Sequence, residues 1–151
     1  MVRRGERGSA LMLVPAGVLI LVALAAMTVD SARAFQAKRE LADVAASLAN
    51  DLATEALVLD SEEFSTTGRL RVDERRAEAL AADILAARPI DGLGVVRLVA
   101  VSVSDPPVGE VPVVTVTLAA TVDFVFSPAV PGAPDHTDLE ATGRAVPQVV
   151  V

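Results

Sequence analysis

From Gly8 to Val29 no residue carries a charge. Within that stretch, Ser9 to Val29 reads SALMLVPAGVLILVALAAMTV, 21 residues in which only Ser9 and Thr28 bear hydrogen-bonding side chains. A helix rises about 1.5 Å per residue, so the run reaches roughly 30 Å, the thickness of a hydrocarbon core. Arg3, Arg4 and Arg7 precede it, and Asp30 follows at once. Arginine-rich flanks stay cytoplasmic. Residues 1–8 are therefore expected in the cytoplasm, 9–29 in the membrane and 30–151 in an extracytoplasmic domain. Pro15 removes one backbone bond about two turns inside the run, which a membrane helix tolerates. A cleaved signal peptide is the rival reading, because Ala23-Leu24-Ala25 fits an A-x-A site and release near Ala25 would give a secreted soluble binding domain. The run is longer than the usual ~7–15 residues of a signal core, and that favours a retained anchor.

Beyond Val29 there are 19 acidic against 10 basic side chains, a net of −9. A nucleic-acid surface needs a basic patch, so nucleic acid is not an expected partner. The same charge disfavours anionic lipid as a ligand beyond the anchor itself. With no cysteine, neither a disulfide framework nor a thiolate metal site is available. Four Phe, with no Trp or Tyr, leave no stacking rows for sugars or bases.

Asp30 to Leu57 has no Pro or Gly. Leu41, Ala45, Leu48, Leu52 and Ala56 recur at helical spacing, with Glu40, Asp43, Ser47, Asn50, Asp51 and Thr54 mainly opposite. No stop signal separates this helix from the apolar run, so one rod from Ser9 to Leu57, about 70 Å long, is expected. A connection follows to Val72, within which Arg69–Val72 reads as a short edge strand. Asp73 is a plausible N-cap, and Ala77, Leu80, Ala81, Ile84 and Leu85 repeat as a second helix ended by Pro89. Past Gly94 the period changes to two. Val95–Ser104 is a strand; Val114 to Phe126 alternates apolar with mostly polar residues, as an antiparallel strand with one wet face does. Ser127–His136 reads as a Pro/Gly loop and Leu139–Val146 as the third strand. The fold class is α+β, with a long N-terminal helix, a second helix and a three- to four-stranded antiparallel sheet.

Candidate chemistry is sparse. His136, the only histidine, lies beside Asp135 and Asp138 in a loop, too few ligands for a metal. Glu62-Glu63 and Asp73-Glu74 read as capping or solubility features rather than an acid–base pair. No G-x-S-x-G, P-loop or G-x-G-x-x-G occurs, and Gly92-x-Gly94 alone carries no weight. No enzyme activity, cofactor, metal or small-molecule substrate is expected.

Arg7-Gly8-Ser9, the apolar run and Asp30 resemble the start of TadE/TadG-like proteins of Flp (tight-adherence) pilus systems. Arg33, Arg39 and the run Leu41 to Ala49 (LADVAASLA) are similar to the alanine-rich segment that follows the anchor in the TadG-like branch. Leu139 to Val146 resembles that family's final strand. The resemblance implies a prokaryotic, single-pass, pilin-like minor pilus or secretion-machine subunit, whose partners are the lipid bilayer and other machine subunits in a homo- or hetero-oligomer. TadE-type members are cleaved after a glycine and carry Glu at the fifth mature position. Here Gly8-Ser9 is the one candidate junction, the fifth residue is Leu13, and Glu6 lies on the wrong side. That departure favours the unprocessed TadG-like type. Recognition then rests on small residues that allow close helix approach, Gly17 in the anchor and Ala42, Ala46 and Ala49 beyond it, although an alanine seam of this kind more often packs on its own domain.

Overall fold

The structure is a computed structural model that describes residues 7–58, 71–87, 90, 93–104, 106–107, 110–129 and 132–147, with side chains from Leu13 onward except at Val58 and Ala129. Glu62-Glu63, Arg69-Leu70, Pro89 and Gly92 lie outside the described residues. Helix α1 spans Arg7–Glu55 with Pro15 inside it. Two-residue strands follow, β1 (Leu57–Val58) and β2 (Arg71–Val72), paired antiparallel. Helix α2 is Glu74–Ala87. Strands β3 (Val96–Val103), β4 (Val114–Asp123) and β5 (His136–Ala145) form an antiparallel sheet in that order. A 3-10 turn, Ser127–Ala129, lies between β4 and β5. The described chain is therefore α+β.

By compactness the chain divides into Met1–Phe35 with Asp123–Thr137, and Gln36–Val122 with Asp138–Val151. The second unit holds the apolar core. Leu41, Ala45, Leu48, Ala49, Leu52, Ala53 and Ala56 of α1 are buried there with Val114, Val116, Leu118, Ala120 and Val122 of β4. On the opposite side of α1, Glu40, Asp43, Ser47, Asn50 and Thr54 are exposed, so the helical period read from the sequence matches its burial. Helix α2 adds Ala77 and Ala81 and packs on β3. Its first turn is capped by Asp73, whose Oδ1 accepts the Arg76 amide at 3.1 Å.

Two cross-strand pairs fix the β4–β5 alignment on the outer face. The hydroxyls of Thr117 and Thr142 lie 3.3 Å apart, and the Thr121 hydroxyl donates to Asp138 at 2.7 Å. Moving forward along β4 from Thr117 to Thr121 is moving backward along β5, as antiparallel pairing requires. On the inner face Gly143 meets α1 so closely that a Cβ there would collide with the backbone of Ala45 and Ala46.

Strand β3 departs from simple alternation. Val96 and Leu98 face Ala120 and Leu118, but after Leu98 the register shifts, and Val101 and Val103 face Val116 and Val114. Val99 is the extra residue, a β-bulge with its side chain in solvent. The bulge moves the inward set from even to odd positions, which keeps both halves of the strand on the core.

The alternation expected to run to Phe126 stops at Asp123. This is a correction with a physical cause: the amides beyond Phe124 leave the ladder for a carboxylate on α1.

Candidate functional site

Helix α1 begins its described side chains with an apolar surface that none of the other described residues covers. Leu13, Val14, Val18, Leu19, Ile20, Leu21, Val22, Leu24 and Met27 are each between 53% and 70% exposed. The helix is long and apolar enough to cross a membrane, by length and composition, and only 6% of its most apolar window is buried. A core helix of a soluble protein meets the same length test but is mostly buried, so that explanation does not fit. An anchor or a signal sequence does. Thr28, the one polar side chain described in this stretch, donates its hydroxyl to the Leu24 carbonyl at 2.8 Å and so needs no outside partner.

The run ends at Asp30, which is buried to 2% exposure. Its Oδ1 accepts the Val125 amide at 2.9 Å and the Phe126 amide at 3.3 Å. Its Oδ2 accepts the Phe126 amide at 3.2 Å, the Ser127 amide at 2.7 Å and the Ser127 hydroxyl at 2.8 Å. Three successive amides converging on one anion form a backbone nest, here filled by the protein's own carboxylate. Loss of water alone would raise the Asp30 pKa. The Val125 amide, the Ser127 hydroxyl and amide and the Phe126 amide together outweigh that loss and hold it below its ordinary 3.8.

Local sequence explains why the chain turns here. Strand β4 ends with the Phe124 amide donating to the Asp135 carbonyl at 2.8 Å. Pro128 lacks an amide to offer a ladder, so the segment closes as a single 3-10 turn. Gly132, at φ 83°, supplies the left-handed backbone that reverses the loop toward β5.

The other candidates fall elsewhere. His136 opens β5 and pairs through Nδ1 with Asp135 Oδ1, both side chains standing in solvent. Asp138 binds Thr121 instead of joining them. Among the described residues no group of three or more His, Cys, Asp or Glu side chains comes together as a metal site. Gly8 and Ser9 lie within α1. Around Gly17 there is open space where a Cβ would stand. Ala46 is exposed, Ala42 half-buried, and Ala49 fully buried in its own core.

Sequence reasoning took Asp30 for a flanking charge and missed its ligands. The available signal was an acid placed at the last apolar turn, but its partners lie more than 90 positions away, beyond any local pattern. In comparisons with known proteins, no family model, no curated protein and no solved structure matches this chain.

Proposed function

We propose that this chain is a single-pass membrane protein that serves as a minor pilin- or pseudopilin-like structural subunit of a Flp-type pilus or related secretion machine. One observation carries the reading: the uncovered apolar half of α1 runs without a break into the half that forms the domain core. A helix of this kind ties a folded domain to the bilayer. Arg3, Arg4 and Arg7 orient the domain to the extracytoplasmic side. The sequence resemblance to TadG-like proteins supplies the machine.

Partner recognition falls to Gly17 inside the bilayer and to Ala46, with half-buried Ala42, above it. Ala49 is already committed to the core. Inside lipid, apolar burial gives no drive to associate, so close packing at small residues carries it.

The second reading, release near Ala25 as a secreted binding domain, is favoured only by the Ala23-Leu24-Ala25 site. Cleavage there would leave Asp30 as the fifth residue of the new chain, near a helix end that frays. Intact-mass analysis of the membrane fraction separates the two. A chain retaining Ser9 to Val29, co-purifying in detergent with pilus or secretion subunits, is expected. A mature chain starting at Ala26 overturns the anchor. A retained chain with no such neighbours overturns the machine.

A further inference from the structure

We infer that the Val125–Phe126 turn is a second membrane contact, an apolar foot resting in the interfacial layer of the leaflet from which α1 emerges. The inference rests on the retained-anchor reading and adds a lipid-facing surface to it.

Asp30 fixes the position of the foot. It is the first residue after the apolar run, so an anchor that fills the hydrocarbon core places Asp30 at its edge. The amides of Val125, Phe126 and Ser127 all lie within 3.3 Å of its carboxylate oxygens. The turn therefore sits at the same depth as Asp30. A bilayer's headgroup region adds only about 5–8 Å per leaflet to the core, so side chains on this turn have interface around them rather than bulk water.

The side chains suit that layer. Val125 is 50% and Phe126 45% exposed, with no apolar neighbour to cover them fully. On α1, Val29 is exposed beside Asp30, and Phe35 is 71% exposed about 7.5 Å further along the helix axis. Arg33 stands exposed between them, with a stem long enough to carry its guanidinium to the headgroups. Apolar side chains with a nearby cation are the composition of an interfacial contact.

The latch itself fits the same place. Near hydrocarbon, an amide without a partner is costly because water is scarce. Asp30 satisfies three amides and a hydroxyl at once, and its own charge is met by the same groups. A turn in bulk water would need no such acceptor. The exposed acids Asp123 and Asp135 on the same unit oppose anionic lipid, so the expected surface is zwitterionic.

The chain has no cysteine, so Phe126→Cys, Val125→Cys and Leu19→Cys each create one labelling site for an environment-sensitive fluorophore. The full chain is reconstituted in phosphatidylcholine vesicles that carry lipid-borne quenchers at headgroup, shallow-chain or deep-chain depth, with iodide as aqueous quencher on both sides. Labels at 125 and 126 are expected to shift to the blue, to be quenched best by headgroup and shallow-chain lipids, and to escape iodide. The label at 19 is expected to respond to deep-chain lipids. Iodide-accessible labels at 125 and 126 beside a deep label at 19 overturn the foot and leave the anchor standing. A label at 19 beyond reach of the deep quencher overturns the anchor and the foot together. Asp30→Ala in the Phe126→Cys chain is expected to move the label toward water. An unchanged spectrum would remove Asp30 from the account.

Discussion

Adding a single methyl group at Gly143 is expected to destabilise this protein, against the usual direction of such a change. Gly143→Ala on an unhindered strand gains about 0.4–1 kcal/mol by restricting the unfolded chain. Here the new Cβ would fall on the carbonyl carbon and oxygen of Ala45 and on the amide nitrogen of Ala46, far inside van der Waals contact. Carbon atoms are best packed about 3.5–4.0 Å apart, so β5 and α1 must separate by more than an ångström locally. Both obstacles are backbone, one in a helix and one in a sheet, and neither can swing aside. Overpacking of this kind costs about 1–3 kcal/mol, and the rigid partners place Gly143→Ala toward the upper end. For a domain near 100 residues, with roughly 4–8 °C of Tm per kcal/mol, the melt should fall by roughly 10 °C or more. The assay is circular dichroism of the full chain in detergent, with Gly17→Ala, which meets open space, as the neutral companion. Ala45→Gly should give no rescue, because it trims a side chain that is not the obstacle. An unchanged or raised Tm for Gly143→Ala would refute the reasoning.

Val116→Asp should cost several kcal/mol of the roughly 5–15 available, because it puts a charge at a fully buried position of β4, whereas half-buried Thr117→Asp, on the outer face, should lose little more than its contact with Thr142. Urea unfolding of the two variants in the same detergent ranks them, and the reverse order would mean a register wrong by one residue. Asp30 has a depressed pKa, so its contribution is complete above the unfolded value of about 3.8 and disappears as pH falls through the lower folded value. Amide exchange at Val125, Phe126 and Ser127 should stay protected from neutral pH down to that window and open below it, while Asp30→Ala should be open throughout; protection that fades near pH 6 would point to another group. Gly17→Leu and Ala46→Leu are expected to weaken recovery of partner subunits in a detergent pull-down with the domain's circular dichroism unchanged. Full recovery for both would move the interface to the sheet or the acidic loops.

Local periodicity was enough to find the buried stripe of α1 and the inner face of β4, because each is set by side chains a few positions apart. Leu41, Ala45, Leu48 and Leu52 could be read as one helix face, and Val114 to Val122 as one sheet face, before any contact was known. The N-cap at Asp73 was legible for the same reason. What stayed hidden depends on distant partners. The end of β4 is decided by Asp30, which competes for amides that alternation alone assigned to a longer strand. Gly143 looked like one small residue among several, and its need for glycine comes from a helix almost a hundred positions earlier. The bulge in β3 was masked by composition, because Val99 is as apolar as its core-facing neighbours.

That bulge also gives β3 a spare residue. Removing one position from a strand normally inverts every side chain beyond the cut, turning a buried face outward. Without Val99 the sequence would run Val96, Arg97, Leu98, Ala100, Val101, Ser102, Val103, which alternates cleanly and keeps the same four apolar residues opposite β4. The side chain lost is already in solvent, so the core keeps its volume. Single-codon deletion, ordinarily among the most damaging changes a sheet can suffer, is at this one site an open route for the sequence to shorten while the fold persists.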